Sequence, residues 1–309
     1  MDGSLHVLVR WALYLDLALT AGLPLAGLLA FRRHAARVAL VLGLRRLLIV
    51  LAVLGLLLSL CHLAMLAQAM SGAAAMTDLD GEVFATVLGH TDAGTAWWIR
   101  IAALCAIALL ALRARSRAGL PIRSLSTLGA VSLATVAWTG HAAMDEGARA
   151  YLHMAADIIH LIAAAAWIGA LAVFALLLRP RQAASLPRLR LLHLGLSRFA
   201  WQGTAIVLAL TGTGVVNYCL AASPRLSGLM TTQYGLLLLA KLALVAAMIG
   251  LAAGNRYRLV PALGQAIEAR RATAATSALR WSVLLEAGAA TAILAIVAWL
   301  GMLDPSPPS

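Results

Sequence analysis

The stretch YLHMAADIIHLIAAAAWIGALAVFALLL, residues 151–178, decides how the chain is read. Beyond His160 it holds no charged residue, and it is longer than the ~20 apolar residues that cross a bilayer. It is rich in Ala and Leu and does not alternate polar with apolar, which argues for a helix over a barrel strand. A helix satisfies its own backbone, as hydrocarbon demands. Its first turns nonetheless carry His153, Asp157 and His160, and an ionisable group inside a span marks a functional position by default.

The rest of the chain has the same character. Of 309 residues, 62% are hydrophobic and 12% charged, with a mean hydropathy of +0.91. That composition excludes a soluble globular domain. The apolar runs predict eight spans, roughly 5–31, 45–70, 96–112, 122–143, 151–178, 197–220, 234–254 and 281–303. The expected fold class is therefore all-α, a polytopic integral membrane protein built as an eight-transmembrane-helix bundle. The first span is full length and lacks a basic leader, so no cleavable signal peptide is expected. The chain divides into an N-terminal three-helix membrane segment (1–120), a five-helix membrane core (121–303) and a short polar tail (304–309).

A net charge of +12 could suggest a nucleic-acid partner, but the placement of the charges speaks for a lipid bilayer instead. Basic residues cluster after the first, third, fifth and seventh spans, for example Arg32, Arg33, Arg113, Arg115, Arg179, Arg181, Arg256 and Arg258. The positive-inside rule puts those segments in the cytoplasm and both termini in the periplasm. The acids Asp78, Asp80, Glu82, Asp92, Asp145 and Glu146 then lie outside, where they suit a cation.

Histidine and methionine are skewed toward the same outer side. Imidazole and thioether together are copper ligands, and thioether favours Cu(I). In span five, His153, Asp157 and His160 follow at separations of four and three, which place neighbours on one helix face. His153 and His160 are about 10 Å apart along the axis and form two stations, not one direct site. Asp157 between them is a ligand or an acceptor that fixes a histidine tautomer. His141 ends span four, so a short loop brings it to His153, with Met144 and Met154 nearby. Span two offers His62 and Met65 on one face, and the 71–95 segment brings His90 over the top. Lys241 sits in span seven at nearly the depth of Asp157, which makes that ion pair easier than one with Glu286; Asp16 in span one is a rival partner. Cys105 and Cys219 read as small packing residues, and Trp97, Trp98, Tyr151 and Tyr234 as the outer aromatic belt.

The second half of the chain resembles the CopD/PcoD copper-resistance membrane family. The matching pieces are WTGHA (138–142), HLIAAAAWIGAL (160–171), SRFAWQGTAIVLALTGTGVVNY (197–218), TTQYGLLLLAKLALVAAMIGLAAGNRYRLVP (231–261) and LRWSVLLEAGAATAILAIVAWLG (279–301). The resemblance implies an eight-span, multi-pass protein of the bacterial inner membrane that handles copper, as Cu(I) or Cu(II), with a periplasmic CopC-type copper carrier. No CopC-like β domain is fused to this chain, so that partner would be a separate protein.

Two function classes follow. In the first, periplasmic copper lands on the outer His/Met cluster and passes inward along span five. In the second, paired histidines from two spans, such as His62 with His160 or His141, ligate a b-type haem in a membrane redox protein. Neither reading makes the chain an enzyme, and the sequence leaves the copper oxidation state, direction of transport and oligomeric state open.

Overall fold

The computed structural model describes residues 3–31, 34–72, 79–113, 121–140, 147–179, 186–221 and 230–303. Ten α-helices account for nearly all of them: α1 Gly3–Ala30, α2 His34–Ser71, α3 Gly81–His90, α4 Asp92–Arg113, α5 Ile122–Ala134, α6 Gly147–Leu177, α7 Leu186–Ala221, α8 Gln233–Gly254, α9 Val260–Glu268 and α10 Thr273–Leu300. There is no strand among the described residues. Seven helical segments are long and apolar enough to cross a membrane: α1, α4, α6, α7 and α10, most of α2, and α8 continued through α9.

The expected fourth span, 122–143, takes another form. α5 is 13 residues long and continues as a five-residue 3-10 helix, Thr135–Thr139. Thr135 Oγ1 donates to the Ser132 carbonyl at 2.6 Å and Thr139 Oγ1 to the Val136 carbonyl at 3.0 Å. Such side-chain bonds to carbonyls one turn back favour the tighter winding. The 13 α residues and five 3-10 residues together rise roughly 30 Å, close to a bilayer's hydrocarbon thickness.

Other helices run past their expected ends. α2 begins at His34 instead of 45, and α7 at Leu186 instead of 197, so arginines such as Arg188 and Arg190 stand on helical extensions. At 38 and 36 residues these two helices exceed the span of the hydrocarbon core. The 71–95 connection holds α3, which Asp80 caps by accepting from Val83 N at 3.0 Å. Thr91 caps the start of α4 by accepting from Gly94 N at 3.0 Å. The 255–280 connection holds a π-helical turn, Asn255–Leu259, then α9 and the start of α10.

α1 is the most buried span and packs against α2, α5, α6 and α10. Small residues allow this. A Cβ on Gly22 would come 2.1 Å from the Ala165 carbonyl oxygen, one on Gly169 would come 2.1 Å from the Gly22 oxygen, and one on Gly129 would come 2.6 Å from Ala21 Cα. The helices therefore meet backbone to backbone at these notches, as membrane helices do where side chains are small. Arg10 Nη1 donates to the Gly301 carbonyl at 2.9 Å, and Trp11 Nε1 to the Thr291 carbonyl at 3.1 Å, tying α1 to the last helix. The main core joins Leu23 and Leu48 to Trp167, Phe174, Leu192 and Leu279.

Exposed apolar side chains cover the outside of the bundle, and exposed aromatics mark both ends. Trp98, Tyr151 and Trp299 stand at one end, and Trp201, Tyr257 and Trp281 at the other. Trp97 corrects the expected belt: it is buried, and its indole donates to the Ser59 carbonyl at 3.0 Å. Cys105 and Cys219 are likewise not packing residues, because both are exposed on the outside of their helices.

Candidate metal centre

α6 presents His153, Asp157 and His160 at successive turns. His153 is buried, and Asp157 and His160 are half-buried. The α7 segment TGTGVVNY supplies their partners. His160 Nδ1 lies 2.9 Å from Thr213 Oγ1. The Thr213 hydroxyl already donates to the Ala209 carbonyl at 2.6 Å, so its oxygen accepts and the imidazole donates from Nδ1. That pattern leaves the lone pair on Nε2, the arrangement of a metal-ligating histidine oriented through its other nitrogen. One turn outward on α7, Asn217 Nδ2 donates to Asp157 Oδ1 at 3.3 Å.

α8 brings Lys241 to face both Asp157 and His160. Thr232 starts α8 by accepting from Gly235 N at 3.0 Å, which sets the helix's depth. From the far side, a Cβ on Gly140 would lie 3.8 Å from Asp157 Oδ2. Gly140, which follows the 3-10 helix, thus sits beside this carboxylate. His141, the next residue, and Met144 lie outside the described residues, as does the 304–309 tail. Met154 is half-buried on α6. Arg149 donates to the Leu220 carbonyl and fastens the start of α6 to the end of α7.

Next to this station is a cavity of about 510 Å³ between α6, α7, α8 and α10. His160 and Lys241 line it together with Trp167, Tyr218, Leu242 and Ile293, so its wall is almost wholly apolar. Glu286, buried on α10, is held by Asn255 at the π-helical turn and by Trp167. It is thus engaged away from Lys241.

The remaining candidates lie elsewhere. His62 on α2 faces Arg100, Arg10 and His6, and Met65 beside it is buried. Asp16 is on α1 against Gly55 of α2. His90 is exposed at the end of α3, which packs on α2 and α4. His62 is therefore oriented toward the first-half helices, while His160 is bonded to α7. No group of three or more His, Cys, Asp or Glu side chains placed to hold a metal occurs among the described residues.

Three residues of these networks were not singled out from sequence: Thr213, Asn217 and Arg100. Arg100 is the plainest omission, since an arginine eight residues into an apolar helix is itself a signal. It is 2% exposed, and its Nε donates to Thr135 Oγ1 at 2.7 Å.

Comparison with known proteins identifies the family. Residues 1–152 match the family model "Copper resistance protein D-like, N-terminal domain", and residues 194–300 match "Copper resistance protein D". The chain is 43% identical over 311 aligned positions to Copper resistance protein D of Pseudomonas syringae pv. tomato, covering 99% of this chain and 98% of that protein. It is 32% identical over 220 positions to Inner membrane protein YebZ of Escherichia coli (strain K12), covering 70% of each. No solved structure matches it. Seven apolar helices and these relatives mark a multi-pass inner-membrane protein. The chain belongs to the copper resistance protein D family.

Proposed function

We propose that the protein moves copper from the periplasm inward through the station formed by His160, Asp157 and Lys241. The observation that carries this reading is the hydrogen-bond pattern at His160. Thr213 accepts the hydrogen bond from Nδ1–H, which leaves the lone pair on Nε2 in the membrane interior, one turn from Asp157 and facing Lys241. Before copper arrives Lys241 balances the charge of Asp157, and the arriving cation competes with it for that charge. His141 and His153, with Met144 and Met154 as softer auxiliaries, form the entry site, and a separate CopC-type carrier delivers the metal. His62, Met65 and His90 are further periplasmic ligands in the first half.

The same reading gives the chain eight crossings and periplasmic termini. The bond from Arg10 near the start to Gly301 near the end supports this reading, since termini on one face go with an even number of crossings. Counting α5 with its 3-10 extension as a crossing supplies that parity, and the charge asymmetry puts the common face outside.

Metal analysis of the purified protein together with an absorption spectrum tests the reading. Bound copper without a Soret band is expected. A Soret band with no bound copper would replace it with a haem protein.

A further inference from the structure

The first half of the bundle holds a buried carboxyl that the copper route does not use. Asp16 is 2% exposed on α1, and neither of its oxygens has a hydrogen-bond partner. α2 meets it with a glycine: a Cβ on Gly55 would come 2.6 Å from Asp16 Oδ2 and 3.2 Å from Leu104 of α4. Any larger residue at 55 would crowd the carboxyl. Two more unpartnered polar atoms flank this seam. Thr20 Oγ1 is one turn inward on α1, Ser59 Oγ is one turn outward on α2, and both side chains are fully buried.

The titratable groups on the surrounding helices are accounted for. α1 itself carries His6, Arg10 and Tyr14, the last two hydrogen-bonded to each other; α4 brings Arg100, bonded to Thr135, and α2 brings His62 and Arg45, the latter bonded to the Ala111 carbonyl. α5 brings none between 124 and 139. α6 brings His153, and Asp157 and His160 on the face that meets α7 and α8, whereas its Ala165 and Gly169 meet α1. α7 contributes His193, Arg198 and Tyr218, and α10 contributes Arg280 and Glu286, which bonds to Asn255. Among the described residues no side chain comes within hydrogen-bonding distance of either Asp16 oxygen.

An ionised carboxylate here would be an isolated charge in apolar surroundings, whereas the neutral acid fits. We propose that Asp16 is a proton-binding site of the membrane interior, which holds one proton and releases it when cargo crosses. Release breaks the carboxyl O–H bond; the proton passes to water and the electron pair stays on the carboxylate. The charge left behind offsets that of the cation in the station beyond α6. The site is defined by its own packing, and only its coupling to cargo rests on the transport reading above.

Dicyclohexylcarbodiimide, a lipid-soluble reagent that converts undissociated carboxyl groups to N-acylureas, tests the site without copper. In native membranes at neutral pH the peptide carrying Asp16 should be modified in the wild type and in Lys241→Met, and unmodified in Asp16→Asn. An unmodified Asp16 in the wild type overturns the proposal. Asp16→Asn and Asp16→Leu should melt at or above the wild-type temperature, since neither removes a hydrogen bond; a marked drop in both would make Asp16 a structural partner and overturn it. Replacing sodium by choline should leave melting unchanged, and a sodium-dependent rise that Asp16→Asn abolishes would assign an alkali-cation site instead. In proteoliposomes with a trapped pH indicator, a copper pulse should shift internal pH in the wild type and in Asp16→Glu, and at least tenfold less in Asp16→Asn; an equal shift in Asp16→Asn overturns the coupling. Labelled Asp16 with no copper uptake in the wild type would instead sink the transport reading and leave the proton site standing.

Discussion

Replacing Lys241 by Met isolates the electrostatics of the station. Lys241 faces Asp157, whose Oδ1 also accepts from Asn217 Nδ2 at 3.3 Å. Removing one member of a buried ion pair costs about 3–5 kcal/mol because the other charge is left uncompensated. Both residues are half-buried rather than sealed, so the lower end, about 3 kcal/mol, is expected. Asp157→Asn alone leaves a lysine without its carboxylate and should lose a similar amount. The double variant carries neither charge and should recover most of the loss. A thermal-unfolding cycle in detergent on the four proteins reads the coupling as the departure from additivity, expected at about 4–5 kcal/mol because the double variant should lose only about 1–2 kcal/mol. Additivity to within about 0.5 kcal/mol would mean that the two side chains do not sense each other, and the charge-balance reasoning would fail.

Other outcomes follow from particular contacts. Thr213→Val removes the acceptor that orients His160 and should weaken copper binding at the station about 10–100-fold, read by competition with a chelator; an unchanged affinity would mean the tautomer is set otherwise. Gly169→Leu drives a side chain into the Gly22 backbone and should lower stability by about 3 kcal/mol or more in a denaturation assay, whereas Gly212→Leu, where nothing lies within 4 Å, should be near neutral. Replacing His141 and His153 together with Ala should lower copper stoichiometry in a protein whose circular dichroism is unchanged. Reporter fusions at Arg117 and Gly264 should behave as cytoplasmic, and periplasmic activity at either would reverse the topology.

The spans were legible because a bilayer imposes one length and one polarity on every helix that crosses it. Their ends were less so. The Arg-rich segments before 45 and 197 read as loops by charge, yet residues such as Ala, Leu and Arg propagate a helix well beyond the hydrocarbon. The fourth segment read as an ordinary span because hydropathy cannot see hydroxyls such as Thr135 and Thr139 bonding back one turn. At the site, i, i+4 and i+7 spacing exposed the α6 face, a pattern carried by one helix. Thr213 and Asn217 were hidden because their meaning comes from a second helix: in the sequence they are two polar residues in a glycine-rich run, and only the pairing of α6 with α7 turns them into partners of His160 and Asp157. Arg100 was visible as a charge, but its bond to Thr135 depends on how α4 packs against the 3-10 turn.

Copper uptake into proteoliposomes by His160→Ala, compared with the wild type under a fixed gradient, tests the central claim most directly. The imidazole is the one ring on α6 whose second nitrogen is oriented by Thr213, so its loss should reduce uptake at least tenfold while copper binding at the outer rim is retained. Uptake at the wild-type rate by a folded His160→Ala protein would contradict the account and take the route of the metal away from α6.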